Sequence, residues 1–155
     1  MNMEKLKIIL AADHAGFRLK EAVKSFLQEK GYEIEDVGVG EFKKDDDYPE
    51  YMIKAAMKVV EDASGGIKAV IFGGSGQGEA MVANRFPGAR ACVWYGGDME
   101  VLKASRNDND SNMLSIGARF VDEQGLKRAV ELWLSTPFSN EERHKRRIGQ
   151  MDSIE

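Results

Sequence analysis

Apolar runs alternate along this chain with stretches of helical periodicity. Leu6 to Ala12 reads as a strand, and Gly16 to Lys30 as a helix with Phe17, Ala22, Val23, Phe26 and Leu27 on one side. Gly31 stands where helices commonly stop. Glu33 to Val37 is a short strand whose alternating character suits a position at or near a sheet edge. The acidic segment Lys43 to Asp47 follows, and Pro49 opens a helix running to about Ala63. Ile67 to Phe72, with its apolar core Ala69-Val70-Ile71-Phe72, is the third strand, and a glycine-rich turn leads from it into a short helix, Ala80 to Asn84. Ala89 to Trp94 is the fourth strand, Asp98 caps a helix to Ser105, and Met113 to Ile116 is the fifth strand. Asp122 to Leu134 is a further helix, stopped by Pro137, and Asn140 to about Met151 is the last. Strand–helix alternation of this kind predicts an α/β fold, a doubly wound parallel sheet with ligands at the carboxyl ends of its strands.

Composition narrows the picture without redirecting it. The chain reads as a single domain over residues 1–155, long enough to bury a core. A net charge of −4 argues against nucleic acid or a membrane surface as partner. No run approaches the length of a membrane span. Residues 1 to 12 lack a leader pattern, with Met1-Asn2-Met3-Glu4-Lys5 running directly into the first strand. The single Cys92 excludes an internal disulfide or a cysteine zinc site and fits a reducing compartment, so a cytoplasmic location is expected.

Candidate chemistry gathers at the predicted strand ends. Asp13 and His14 follow strand one, Ser75 to Glu79 follow strand three, and Arg119 lies just beyond strand five. The stretch Gly73-Gly74-Ser75-Gly76-Gln77-Gly78-Glu79 leaves several backbone N–H groups facing one concavity at a helix start, which suits an anion or an oxyanion. Glu79 makes it a poor phosphate cradle, because a carboxylate repels phosphate. It suits proton abstraction from carbon, with the amides holding the developing enediolate. Neither the dinucleotide fingerprint nor a Walker sequence is present. Plainer roles exist for each residue. Asp13 can cap the helix at Gly16, His14 can be a packing or surface residue, and Glu79 can simply complement the helix dipole. Tyr48 can pack on the core at a helix start. Arg143 and Arg147, four apart, share a helical face and can grip a phosphate, or form a solvated basic helix end.

Taken together, Ala11-Ala12-Asp13-His14-Ala15-Gly16, Asp47-Tyr48-Pro49, Gly73 to Glu79, Ala83-Asn84-Arg85 and Asn109-Asp110-Ser111-Asn112 resemble the type B ribose-5-phosphate isomerases, relatives of the galactose-6-phosphate isomerases. The likeness extends to Gly117-Ala118-Arg119 and Arg143-His144-Lys145-Arg146-Arg147. It implies a Rossmann-like three-layer α/β/α sandwich with a five-stranded sheet. It also implies cofactor-free and metal-free aldose–ketose isomerisation of a sugar phosphate. A homodimer, or a tetramer, is implied as well, with residues of about 140–152 completing a partner's site. One version of the family places a cysteine base at the end of strand three, where this chain has Gly73. The other ends the glycine loop in a glutamate base, here Glu79. The resemblance assigns enediolate stabilisation to Ser75 and the amides around Gly76, Gln77 and Gly78, with Gly74 lining the loop. It assigns phosphate binding to Arg119, Arg143 and Arg147, with His144 beside them. Asp13, His14, Tyr48 and Asn109 fall at sugar-binding positions.

One position departs from the pattern. The family carries a ring-opening histidine immediately before Asn109-Asp110, and this chain has Asp108. Asp108, Asp13 or His14 must then move the proton off the anomeric hydroxyl. The departure opens two alternatives to ribose 5-phosphate isomerisation: a six-carbon sugar phosphate as substrate, or a non-catalytic homologue that only binds sugar phosphates.

Overall fold

The computed structural model describes residues 6–38 and 41–155, so the Met1–Lys5 lead-in lies outside the described residues. In chain order the elements are β1 (Lys7–Ala12), α1 (Phe17–Glu29), β2 (Glu33–Asp36), α2 (Tyr48–Glu61), β3 (Ile67–Gly73), α3 (Gln77–Ala83), β4 (Ala91–Trp94), α4 (Glu100–Asn109) and β5 (Met113–Gly117). A 3-10 turn at Ala118–Phe120, α5 (Glu123–Ser135) and α6 (Glu142–Asp152) follow. The five strands are all parallel, in the order β2-β1-β3-β5-β4, with β2 at an edge.

Successive residues of a strand face opposite sides of the sheet, and both sides are covered here. Ile8, Leu10, Val70, Phe72, Leu114 and Ile116 pack against Leu19, Val23 and Leu27 of α1, Leu102 of α4, and Leu126, Val130 and Trp133 of α5. Ile9, Ala11, Ala69, Ile71 and Met113 pack against Met52, Ala55, Ala56 and Val59 of α2 and Ala83 of α3. Burial on both faces is why β1 and β3 read as almost unbroken apolar runs. The result is the expected three-layer sandwich. Strand order reverses between β1 and β3, which opens a crevice at their carboxyl ends. Gly16 lets α1 start there: a side chain on it would collide with the Phe72 backbone.

Three elements differ most in their bounds from the sequence reading. β4 starts at Ala91 rather than Ala89. α4 starts at Glu100, with Asp98 accepting its amide at 2.9 Å, and runs to Asn109 instead of ending at Ser105. The extra turn is held by Arg106, whose buried guanidinium bonds Asp110 Oδ1 and the carbonyls of Ser111 and Thr136. α3 starts at Gln77 rather than Ala80, because Gly76 takes a left-handed φ of 78° and turns the chain into the helix three residues early. On α1, Phe17, Ala22 and Phe26 are only half-buried. Lys20 is fully enclosed instead, with its ammonium 2.6 Å from Asp36 of β2.

Candidate active site

β3 ends at Gly73, in register with Gly117 at the end of β5. Because α3 begins at Gln77, Glu79 falls in its first turn, and its side chain folds back over the strand end. A side chain on Gly73 would overlap the Glu79 carboxylate. The glycine is therefore the vacancy that the acid fills. Glu79 is 4% exposed. Burial pushes its carboxyl above the usual glutamate range; its own amide and the Arg119 charge oppose this, while Asp13 adds to it. A buried carboxylate with a raised pKa is suited to take and return a proton near neutral pH.

Neighbouring groups close around this acid. The Arg119 guanidinium lies over Gly74, 3.0 Å from where a Cβ would stand, and the Arg119 amide donates to the Gly74 carbonyl at 3.1 Å. The Tyr48 hydroxyl rests against Gly78, where a side chain would strike it. Its ring packs on the α2 side of the core, as the plainer expectation had it. Ser115 Oγ donates to the Gly76 carbonyl at 2.6 Å and fixes the turn. Ser75 Oγ accepts the Gln77 amide at 3.2 Å. That amide is thus engaged inside the loop, whereas the Gly78 amide sits in the first helical turn, where no intrahelical acceptor exists.

Asp13 is 6% exposed and caps α1 by accepting the amides of Ala15 and Gly16 at 3.0 and 3.2 Å. Capping does not remove it from the site, because its charge reaches both Glu79 and His14. Burial raises the Asp13 carboxyl above its ordinary value, against the pull of those amides. His14 is held by Asp46, a residue that the sequence reading passed over. Asp46 Oδ1 accepts the His14 amide at 3.0 Å and faces ring Nδ1 at 2.8 Å. The only available signal was an acidic run, and nothing in it points to a partner thirty-two positions away. The oxygens and nitrogen of Asp13, His14 and Asp46 lie within 4.8 Å of one another, with Nδ1 and Oδ1 facing each other across a proton.

The remaining site residues form a second group. Asp108 and Asn109 end α4, and Asp108 Oδ1 lies 3.7 Å from Nε2 of the buried His144 on α6. Ser139 Oγ holds His144 Nδ1 at 2.7 Å. Arg143 pairs with Glu141 at 2.8 Å, and Arg147 is exposed on the same helix. Among the described residues, no hydrogen bond or ion pair joins this group to the one around Glu79. Cys92 belongs to neither: its Sγ lies 3.4 Å from Ser105 Oγ, and burial raises its thiol pKa, the reverse of what a base requires.

A parallel α/β sandwich with a buried acid laid against a glycine loop at the switch point has the form of a small-molecule enzyme, with an acid suited to proton transfer. A family model described as Ribose/Galactose Isomerase matches residues 8–151. The ribose-5-phosphate isomerase B of Mycobacterium tuberculosis is 36% identical over 146 residues, covering 94% of this chain and 88% of that protein. The solved structure of a ribose 5-phosphate isomerase from Thermotoga maritima matches with a TM-score of 0.87 at 34% identity, over 96% of this chain and 99% of that one. That of ribose-5-phosphate isomerase B from Mycoplasma genitalium with bound ribulose-5-phosphate matches with a TM-score of 0.89 at 28% identity, over 97% and 96%. The chain belongs to the ribose/galactose isomerase family and is a sugar-phosphate isomerase. No helix among the described residues is long and apolar enough to cross a membrane.

Proposed function

We propose that this protein interconverts ribose 5-phosphate and ribulose 5-phosphate, with Glu79 carrying the proton between carbons 1 and 2 of an enediolate. The buried Glu79 carboxylate, seated in the space that Gly73 leaves open, carries the reading. Glu79 removes the proton from the carbon beside the carbonyl and returns it to the neighbouring carbon. The enediolate oxygen is held by Ser75 and the free loop amides, donors that the loop fixes in place beforehand. Asp13, His14, Tyr48 and Asn109 contact the sugar, and Arg119, Arg143 and Arg147 receive the phosphate. No metal or cofactor takes part.

Because no hydrogen bond or ion pair among the described residues joins the two groups of site residues within one chain, the working unit is a homodimer in which α6 of one subunit completes the site of the other. At Asp108, the His144 imidazole 3.7 Å away supplies the acid–base group for ring opening that the family places one residue before Asn109. The testing experiment is incubation with ribose 5-phosphate in deuterated water, followed by NMR. Ribulose 5-phosphate formation with solvent deuterium at carbon 1, and at carbon 2 of the recovered ribose 5-phosphate, supports the reading. Turnover confined to a six-carbon aldose phosphate transfers the same chemistry to the other substrate, and binding without exchange rejects an enzyme.

A further inference from the structure

We infer that Asp46 is the positioning residue of His14, holding that imidazole as a cation that donates through Nε2 to the substrate. The inference rests on the sugar-phosphate reading above and assigns a role to a residue outside the family's motif residues named for it. Three observations carry it. Asp46 Oδ1 takes both the amide and ring Nδ1 of His14, so it fixes the backbone and the ring together. Its side chain is 8% exposed, whereas that of His14 is 29% exposed, so the acid lies behind the ring and the ring faces outward. Phe42 meets the same ring edge-on at a centroid distance of 6.3 Å, which limits its rotation.

The chemistry follows from the tautomer. With Nδ1–H committed to a carboxylate, the second nitrogen of the ring is the one that meets ligand, and in the protonated ring it is a charged donor. Three carboxylates favour that form. Asp46 bonds the ring, Asp13 precedes it in the β1–α1 turn, and Asp45 lies on the same loop as Asp46. From α2, the Tyr51 hydroxyl faces Asp46 and stays protonated, because burial raises its pKa. The Asp46 hydrogen bond raises the His14 pKa against a smaller opposing effect of burial, and hydrogen bonds from the His14 amide and ring outweigh burial at Asp46 and hold its carboxyl low. A cation beside Asp13 is what an incoming phosphorylated sugar requires, since otherwise Asp13 and Glu79 present it with two carboxylates.

The test uses the full-length protein. In wild type, NMR titration of the His14 ring should give a midpoint above that of a free histidine, with the proton on Nδ1 in the neutral form. A midpoint at or below the free value overturns the proposal without any variant. Asp46→Asn should move the midpoint to lower pH and raise KM for ribose 5-phosphate about tenfold at neutral pH, the worth of one charge-assisted hydrogen bond, with kcat little changed. Lowering the pH should re-protonate His14 and restore KM, a rescue that a merely structural defect would not show. If KM stays high in acid, or kcat falls alone, Asp46 does not act through His14. The double variant Asp46→Asn/His14→Gln should bind no worse than His14→Gln, and an additive loss would sink the coupling. The wild-type His14 titration is read without any substrate present. This separates failure of the Asp46 assignment from failure of ribose 5-phosphate as substrate.

Discussion

Replacing Glu79 by glutamine keeps the side chain's size and removes the base. Turnover should fall by roughly 10²–10⁴-fold with substrate binding little changed, as steady-state kinetics would report. The same variant has a stability signature. Because the Glu79 pKa is raised, the folded protein holds that proton more tightly than the unfolded chain does. Its ionisation therefore removes stability as pH rises from the ordinary glutamate range through the raised folded value. Glu79→Gln should be more stable than wild type above that window and show no such slope in thermal melts. His14 slopes the same way, in its own higher window, because its folded pKa is raised too. Its contribution is fully present below the ordinary histidine value and is lost as pH rises through its raised folded value, a slope that Asp46→Asn should flatten. Cys92→Ser should be nearly silent in turnover, and a large loss there would revive a cysteine mechanism.

At the scale of elements, the joint between α1 and β2 depends on an ion pair where the apolar pattern led one to expect packing. Lys20 is fully buried on α1 and meets Asp36 of β2 at 2.6 Å. Lys20→Met should cost about 3 kcal/mol in urea denaturation, because it strips Asp36 of its nearest cation, whereas Lys20→Met/Asp36→Leu should recover much of the loss. The sequence showed the sheet, its edge strand and the glycine loop because burial and φ constraints leave local traces. Val70 and Phe72 alternate with Ala69 and Ile71 between the two cores, and Gly76 is a glycine because its φ demands one. What it concealed are pairings across the chain. Asp46 sits in an acidic run that looks solvated, and Lys20 sits in a helix where a lysine is presumed exposed. Arg106 extends α4 by bonding carbonyls that no periodicity reveals. Asp13 caps α1 and Tyr48 packs on the core, and each still lies beside the Glu79 loop.

For the whole molecule, the two separated groups of site residues lead to an assembly prediction. Tyr95 and Phe120 stand at the carboxyl end of the sheet, 57% and 62% exposed, with ring centroids 6.3 Å apart. An exposed aromatic pair at the rim of a site is a natural subunit contact. Phe120→Glu should yield monomers in sedimentation and lose turnover in parallel. Mixing Arg147→Ala with Glu79→Gln subunits should recover activity, since one hybrid site in two receives an intact acid and an intact tail. No recovery after demonstrated subunit exchange would mean that each site is built from a single chain.

The overlap between Gly73 and the Glu79 carboxylate also bears on how such a loop can change over generations. A cysteine introduced at position 73 would not add a second base; it would evict the first from its seat. A lineage moving from the acid to the thiol would therefore pass through a form that is crowded or, with Glu79 already gone, without a base. The two versions of the loop are neighbouring peaks with a valley between them. Random single-site libraries built on this chain should return Gly73 almost unaltered from any selection for turnover, and should yield an active thiol variant only when both positions vary together.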